Sequence, residues 1–105
     1  MKITELNLTF IKSYLRVDVD GDEDDALIEV FLASAKSFIE NHLNQKFSDM
    51  EEVPEEFTIP CLALISHWYS NRTITSGAQN ERASKEILYT FSHILDPHIV
   101  RKMGE

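Results

Sequence analysis

Apolar residues recur at helical spacing from Asp24 to Asn44 and predict the longest element of the chain. At about 100° per residue, these apolar positions and one histidine fall in a single arc roughly 160° wide. The residues of this arc are Leu27, Ile28, Phe31, Leu32, Ala35, Phe38, Ile39, His42 and Leu43. A stripe of ~100° is enough for a helix to cover one side of a small core. We therefore expect more than one neighbouring element to cover this arc.

Three more helices are predicted, at residues 8–16, 55–72 and 84–95. Asn7 and Ser84 are the expected caps of the first and the last of them. Together with the long helix at 24–44, they predict an all-α fold. We expect one domain over residues 1–105, built as a compact bundle of about four helices.

Two stretches interrupt this pattern. Pro60 lacks an N–H group and its ring clashes with the carbonyl four residues earlier, so the third helix either kinks near Glu56 or restarts with Thr58 as its cap. Residues 73–83 have no period and contain a Ser-Gly pair. They predict a mobile loop, and loops of this length are often functional.

Composition narrows the class of protein. The chain has 105 residues, of which 43% are hydrophobic, and this is enough for a packed core. Its one cysteine, Cys61, excludes an internal disulfide and favours a reducing compartment. No apolar run approaches the ~20 residues of a membrane span, and the first ten residues lack the pattern of a secretion signal. We expect a soluble intracellular protein with no membrane contact.

Negative charge is concentrated in two segments. The formal net charge is −8, yet Asp18–Asp25 holds six acids and Asp49–Glu56 holds five, with no base in either. A protein that grips a phosphate backbone needs clustered Lys and Arg side chains, and the sequence has no such cluster. We therefore expect no specific binding of DNA or RNA.

The first acidic segment partly matches a calcium-binding loop. The carboxylates that fall on ligand positions of such a loop are Asp18, Asp20, Asp22 and Glu29. Glu23, however, stands where the sharp turn requires glycine, and Asp25 stands where an apolar residue is usual. A solvated turn whose last aspartates begin the long helix is the alternative interpretation. We predict no specific calcium site.

No catalytic motif or cofactor motif is present. The sequence contains no glycine-rich phosphate loop, no Cys/His cluster and no nucleophile elbow. Cys61 and His67 are six residues apart, about 600° around a helix, so they lie on different faces. We expect no enzyme, no cofactor and no metal, and a buried structural thiol at Cys61.

Arg72 falls in the middle of the apolar side of the third helix, one turn after Trp68. An unpaired buried charge is very unfavourable, so its guanidinium needs an acid or free carbonyls. The acids closest to the helix ends belong to the first acidic segment. We predict an ion pair between Arg72 and Asp18.

Five short segments resemble a known family, the small head-tail connector (adaptor) proteins of long-tailed bacteriophages and prophages. In order they are Ile11–Asp18, Ala26–Ile28, Val53–Glu55, Ser66–Arg72 and Ile94–Pro97. The run His-Trp-Tyr-x-Asn-Arg after Val-Pro-Glu is the most specific of them. The resemblance covers about residues 8–98.

This resemblance implies a homo-oligomeric ring in the virion neck, assembled in the cytoplasm of the bacterial host. The ring would lie between the portal protein and the tail-completion proteins, with DNA passing through it without specific binding. From the wide arc and the resemblance we expect the subunit interface at Leu32, Ile39 and Leu43. Contacts that form on docking are expected in the 73–83 loop, at Thr75, Ser76, Gly77, Gln79 and Asn80.

Another class of protein fits the same charge pattern. A small acidic regulatory module could mimic DNA or sequester a basic partner. Assembly separates the two interpretations, because a mimic works as a monomer or dimer and a connector forms rings.

Overall fold

The computed structural model describes residues 1–17, 20–71 and 77–100, and for residues 77–81 it describes the backbone alone. The α-helices of these residues are α1 (Leu8–Leu15), α2 (Asp25–Leu43), α3 (Thr58–Ser70), α4 (Gly77–Thr90) and α5 (Ser92–Leu95). Short 3-10 turns occur at Ile3–Glu5, Phe47–Asp49, Glu55–Phe57 and Asp96–His98. No strand occurs in the described part of the chain. The predicted all-α bundle is confirmed.

The core lies between α2 and the helices that pack on it. α3 makes the most extensive contact with α2, and α1 packs beside it. Ile28 and Ala35 of α2 are fully buried, as are Leu64 and Ile65 of α3. Large side chains from elements outside α2 and α3 are also fully buried, among them Ile3, Ile11, Phe57 and Leu95.

The structure corrects two of the three predicted interface residues. Ile39 and Leu43 have no exposed surface within the single chain, because both point into its own core. They are therefore unavailable to a neighbouring subunit, and the prediction is wrong for them. Leu32 is half-buried at the edge of the core, and its role in an interface stays a prediction.

Pro60 neither kinks nor breaks α3. A 3-10 turn at Glu55–Phe57 leads directly into the helix, which starts at Thr58. Pro60 is then the third helical residue, where the backbone N–H would have no intrahelical acceptor in any case. The predicted restart at Thr58 is correct, but Thr58 is not the cap. It lies inside the helix, and its Oγ1 donates a hydrogen bond to the Met1 carbonyl at 2.7 Å.

The last helix begins earlier than its pattern predicted. α4 starts at Gly77, so residues 77–83 are helical, and the prediction of a loop there is wrong. Good helix formers such as Ala78, Gln79 and Arg82 outweigh the single glycine at the first position. Ser84 is consequently not a cap. It lies inside α4, almost fully buried, and its Oγ accepts a hydrogen bond from Trp68 Nε1 at 2.8 Å.

The single thiol is buried in the core, as predicted. Cys61 has no exposed surface, and this burial raises its pKa from 9.0 to about 12. Because the unfolded thiol ionises first, the stabilisation from this group is complete below pH 9 and is lost as the pH rises toward 12. We expect native protein to react with a thiol reagent at pH 8 no faster than it unfolds, and denatured protein to react at once. Rapid native reaction would contradict the burial.

Candidate interaction surfaces

Two residues of the first acidic segment, Gly21 and Asp25, contact an ammonium group of the same chain. Lys12 lies on the inner side of α1, and its side chain is almost completely buried. Its Nζ donates to Asp25 Oδ1 at 2.7 Å and also to the backbone carbonyl of Gly21. A buried cation that is hydrogen-bonded in this way holds the turn between α1 and α2 closed.

A second side chain fastens the same turn to α3. The hydroxyl of Tyr69 donates to Asp24 Oδ2 at 2.6 Å, near the end of α3. This contact joins α3 to the acidic turn, which is the connection that the Arg72–Asp18 pair was expected to make. Arg72 and Asp18 both lie outside the described residues, so their ion pair stays a prediction.

Sequence reasoning missed Lys12 and Tyr69 as partners of this turn. A signal for Lys12 existed, since it follows Ile11 on the inner face of an amphipathic helix, where a cation requires an acid. No sequence feature singled out the hydroxyl of Tyr69 as a donor to Asp24.

The described residues contain no group of three or more Cys, His, Asp or Glu side chains that could hold a metal ion. Asp25 and the Gly21 carbonyl already accept hydrogen bonds from Lys12 Nζ. The absence of a specific calcium site stays a prediction, since Asp18 lies outside the described residues. The helices in the described ranges also include none that is long and apolar enough to cross a membrane.

Replacement of Lys12 tests the role of this ammonium group. We expect Lys12→Met to lower the free energy of unfolding by about 2 to 4 kcal/mol, because the half-buried Asp25 carboxylate would lose its partner. Lys46→Met is the matched control on an exposed lysine and should change the free energy of unfolding by less than about 0.5 kcal/mol. Urea denaturation measures both values. Equal stability of the two variants would show that the buried ion pair contributes little.

The second acidic segment lies at the opposite end of α2. Glu51, Glu52, Glu55 and Glu56 are exposed there. The backbone N–H of Phe47 donates to Glu40 Oε2 at 2.7 Å, which holds the residues just before this segment against the last turns of α2. A helix of 19 residues is about 28 Å long. The described residues of the two acidic segments therefore form separate surfaces near the opposite ends of α2.

The residues from Asp96 to Val100 bind the end of α2. The Val100 N–H donates to the Leu43 carbonyl at 2.8 Å, which satisfies one of the acceptors left open at a helix C-terminus. Gln45 Nε2 donates to the His98 carbonyl at 2.7 Å. His42 Nε2 lies 3.2 Å from Asp96 Oδ1. These contacts hold residues 96–100 against the end of α2, next to the second acidic segment.

An open groove separates the C-terminal half of α2 from α4. Its volume is about 520 Å³, and the side chains that shape it include Phe38, His42, Lys85, Leu88, Tyr89 and Ile99. The floor is apolar, whereas Lys85 is exposed at the rim. Tyr89 stands beside it with 81% of its surface exposed. Such a combination of apolar floor and charged rim is typical of a surface that binds another protein.

The predicted docking residues are only partly described. Thr75 and Ser76 lie outside the described residues. Gly77, Gln79 and Asn80 belong to the first turns of α4 rather than to a loop. Their role in docking stays a prediction, and the first turns of α4 rather than a loop would make these contacts.

Comparison with known proteins gives one match. The family described as phage gp6-like head-tail connector protein matches residues 5–98. The match includes all five segments on which the resemblance rested. No curated protein and no solved structure gives a significant match.

Proposed function

Because this chain belongs to the phage gp6-like head-tail connector proteins, we propose that it forms a ring between the portal and the tail, through which the phage DNA passes. The single observation that carries this proposal is the family match over residues 5–98. Membership makes the protein a structural component of the phage connector, associated with portal and tail proteins in the virion neck.

The charge distribution supports passage of DNA without binding. Exposed carboxylates lie at both ends of α2, and exposed bases such as Arg16, Lys46 and Arg82 are dispersed among separate elements. Carboxylates repel phosphates, so DNA that slides past them has no strong contact to break. We expect no measurable DNA binding by the purified protein at physiological salt.

The separation of the two acidic surfaces is less compatible with a DNA mimic. Such a module would need its carboxylates arranged along one continuous face, as phosphates are arranged along a duplex. Here the two groups of acids lie at opposite ends of a helix that is about 28 Å long.

The test is assembly with the portal protein of the same phage. Mass photometry of this chain mixed with the portal should detect a complex that contains several copies of the chain for each portal ring. Mixing with an unrelated protein ring is the control. If the chain stays monomeric or dimeric in both mixtures, the connector proposal fails and a small regulatory module becomes the better interpretation.

A further inference from the structure

No described residue of the chain occupies the groove between α2 and α4. Phe38, Leu88 and Ile99 form its apolar floor, and Lys85 and Tyr89 lie at its rim. Arg82, one turn before Lys85, is exposed on the same side of α4. Asp96 also lines the groove, but its Oδ1 lies 3.2 Å from His42 Nε2. A partner that places apolar side chains on the floor and acids beside α4 would therefore fit this groove.

The chain itself carries a surface of this chemistry. Phe10 and Tyr14 are four residues apart, so they lie on one face of α1. They are 37% and 49% exposed, although both are large and mainly apolar. The acidic turn that follows α1 presents Asp22 and Glu23 to solvent.

The two surfaces lie near opposite ends of α2. The bond from Lys12 to Asp25 places α1 beside the first turn of α2. The groove begins at Phe38 and includes His42, in the last turns of the same helix. About 25 Å of helix separates Asp25 from His42. Two complementary surfaces at opposite ends of a subunit produce a head-to-tail contact, and such contacts close into rings when the rotation allows.

We propose that the groove between α2 and α4 receives the α1 end of a second copy of this chain. Phe10 and Tyr14 of one copy enter the apolar floor of the next, and Asp22 and Glu23 lie against Lys85 and Arg82. This proposal rests on the ring proposed above and specifies the surfaces that form it. These surfaces take the place of Ile39 and Leu43 as the proposed interface, because both of those side chains are buried in the core of the single chain.

Charge reversal tests the contact. Lys85→Glu should raise the concentration at which half of the chain is assembled by at least about tenfold, because acids of the neighbour would then meet an acid. Asp22→Lys with Glu23→Lys should have the same effect from the other side. A combined variant that carries Asp22→Lys and Glu23→Lys together with Arg82→Glu and Lys85→Glu should restore assembly, since both pairs then re-form with exchanged charges. Lys46→Glu is the matched control and should leave assembly unchanged.

An apolar substitution provides a second, independent test. Tyr14→Ala should weaken assembly, whereas Val30→Ala, on the exposed side of α2, should not. Sedimentation velocity on the full chain, alone and with the portal, measures assembly for every variant. Circular dichroism confirms that each variant is folded.

The results separate this proposal from the proposed function. If the wild-type chain assembles and Lys85→Glu assembles at the same concentration, the ring stands and this interface is wrong. Failure of the combined variant to recover would also overturn it. Loss of portal binding with unchanged contact between subunits would assign the groove to the portal instead. If the wild-type chain never assembles, the proposed function itself fails.

Discussion

Leu43→Glu should unfold the protein rather than release a folded monomer from an assembly. Leu43 is fully buried near the end of α2, and its carbonyl accepts the Val100 N–H. An ionised carboxylate at this position would lose its hydration and gain no described cation as a partner. The expected cost is above about 5 kcal/mol, which is comparable to the total stability of a domain of this size.

Val30→Glu is the matched control for this experiment. Val30 belongs to the same helix, but 59% of its surface is exposed. A carboxylate there stays in water, so the free energy of unfolding should change by less than about 1 kcal/mol. Circular dichroism and a urea melt distinguish the two variants. A folded Leu43→Glu monomer that no longer assembles would return Leu43 to the subunit interface and contradict its place in the core.

Trp68→Ala should cost about 3 to 5 kcal/mol, the range for removal of a large core aromatic. The indole ring lies 5.9 Å from Phe31 and 6.3 Å from Phe38, measured between ring centroids. It therefore joins α3 to the edge of the α2 arc. Its Nε1 also donates to Ser84, which connects α3 to α4.

Trp68→Phe separates the two contributions. Phenylalanine keeps an aromatic ring against Phe31 and Phe38 but has no N–H group for Ser84. We expect its cost to be about 1 to 2 kcal/mol, which is the usual range for a lost hydrogen bond and a small loss of packing. Denaturant melts followed by circular dichroism give both values without reliance on the tryptophan signal. A loss below about 1 kcal/mol for Trp68→Ala would mean that the ring is not part of the core.

Much of the fold was predictable because the apolar pattern is a local property of the chain. The observed α1 is one residue shorter than predicted at its C-terminal end, and α2 is one residue shorter at each end. The errors occurred where local signals conflict. Ser84 is a residue type that often caps a helix, but the helix formers before it extend α4 back to Gly77. Its side chain is buried against Trp68 instead. Pro60 left a kink and a restart both open, because its distance from the helix start could not be read from the pattern.

The candidate surfaces were predictable in charge but not in position. Both acidic segments are evident in the sequence, whereas their placement near opposite ends of α2 depends on how the loops fold back on this helix. The width of the α2 arc correctly indicated more than one neighbour. It could not indicate which residues of the arc the chain's own core would use, and Ile39 and Leu43 proved to belong to that core.

By itself the sequence determined the helices, the segregation of charge and the motifs that carry the family resemblance, since each depends on residues close together in the chain. Only the tertiary structure decided the partners. Lys12 meets Asp25, Tyr69 meets Asp24, and the groove forms between α2 and α4. The contact between Tyr69 and Asp24 joins residues 45 positions apart. Periodicity gives the direction of a side chain around its own helix, but the group that it meets is set by the packing of distant segments.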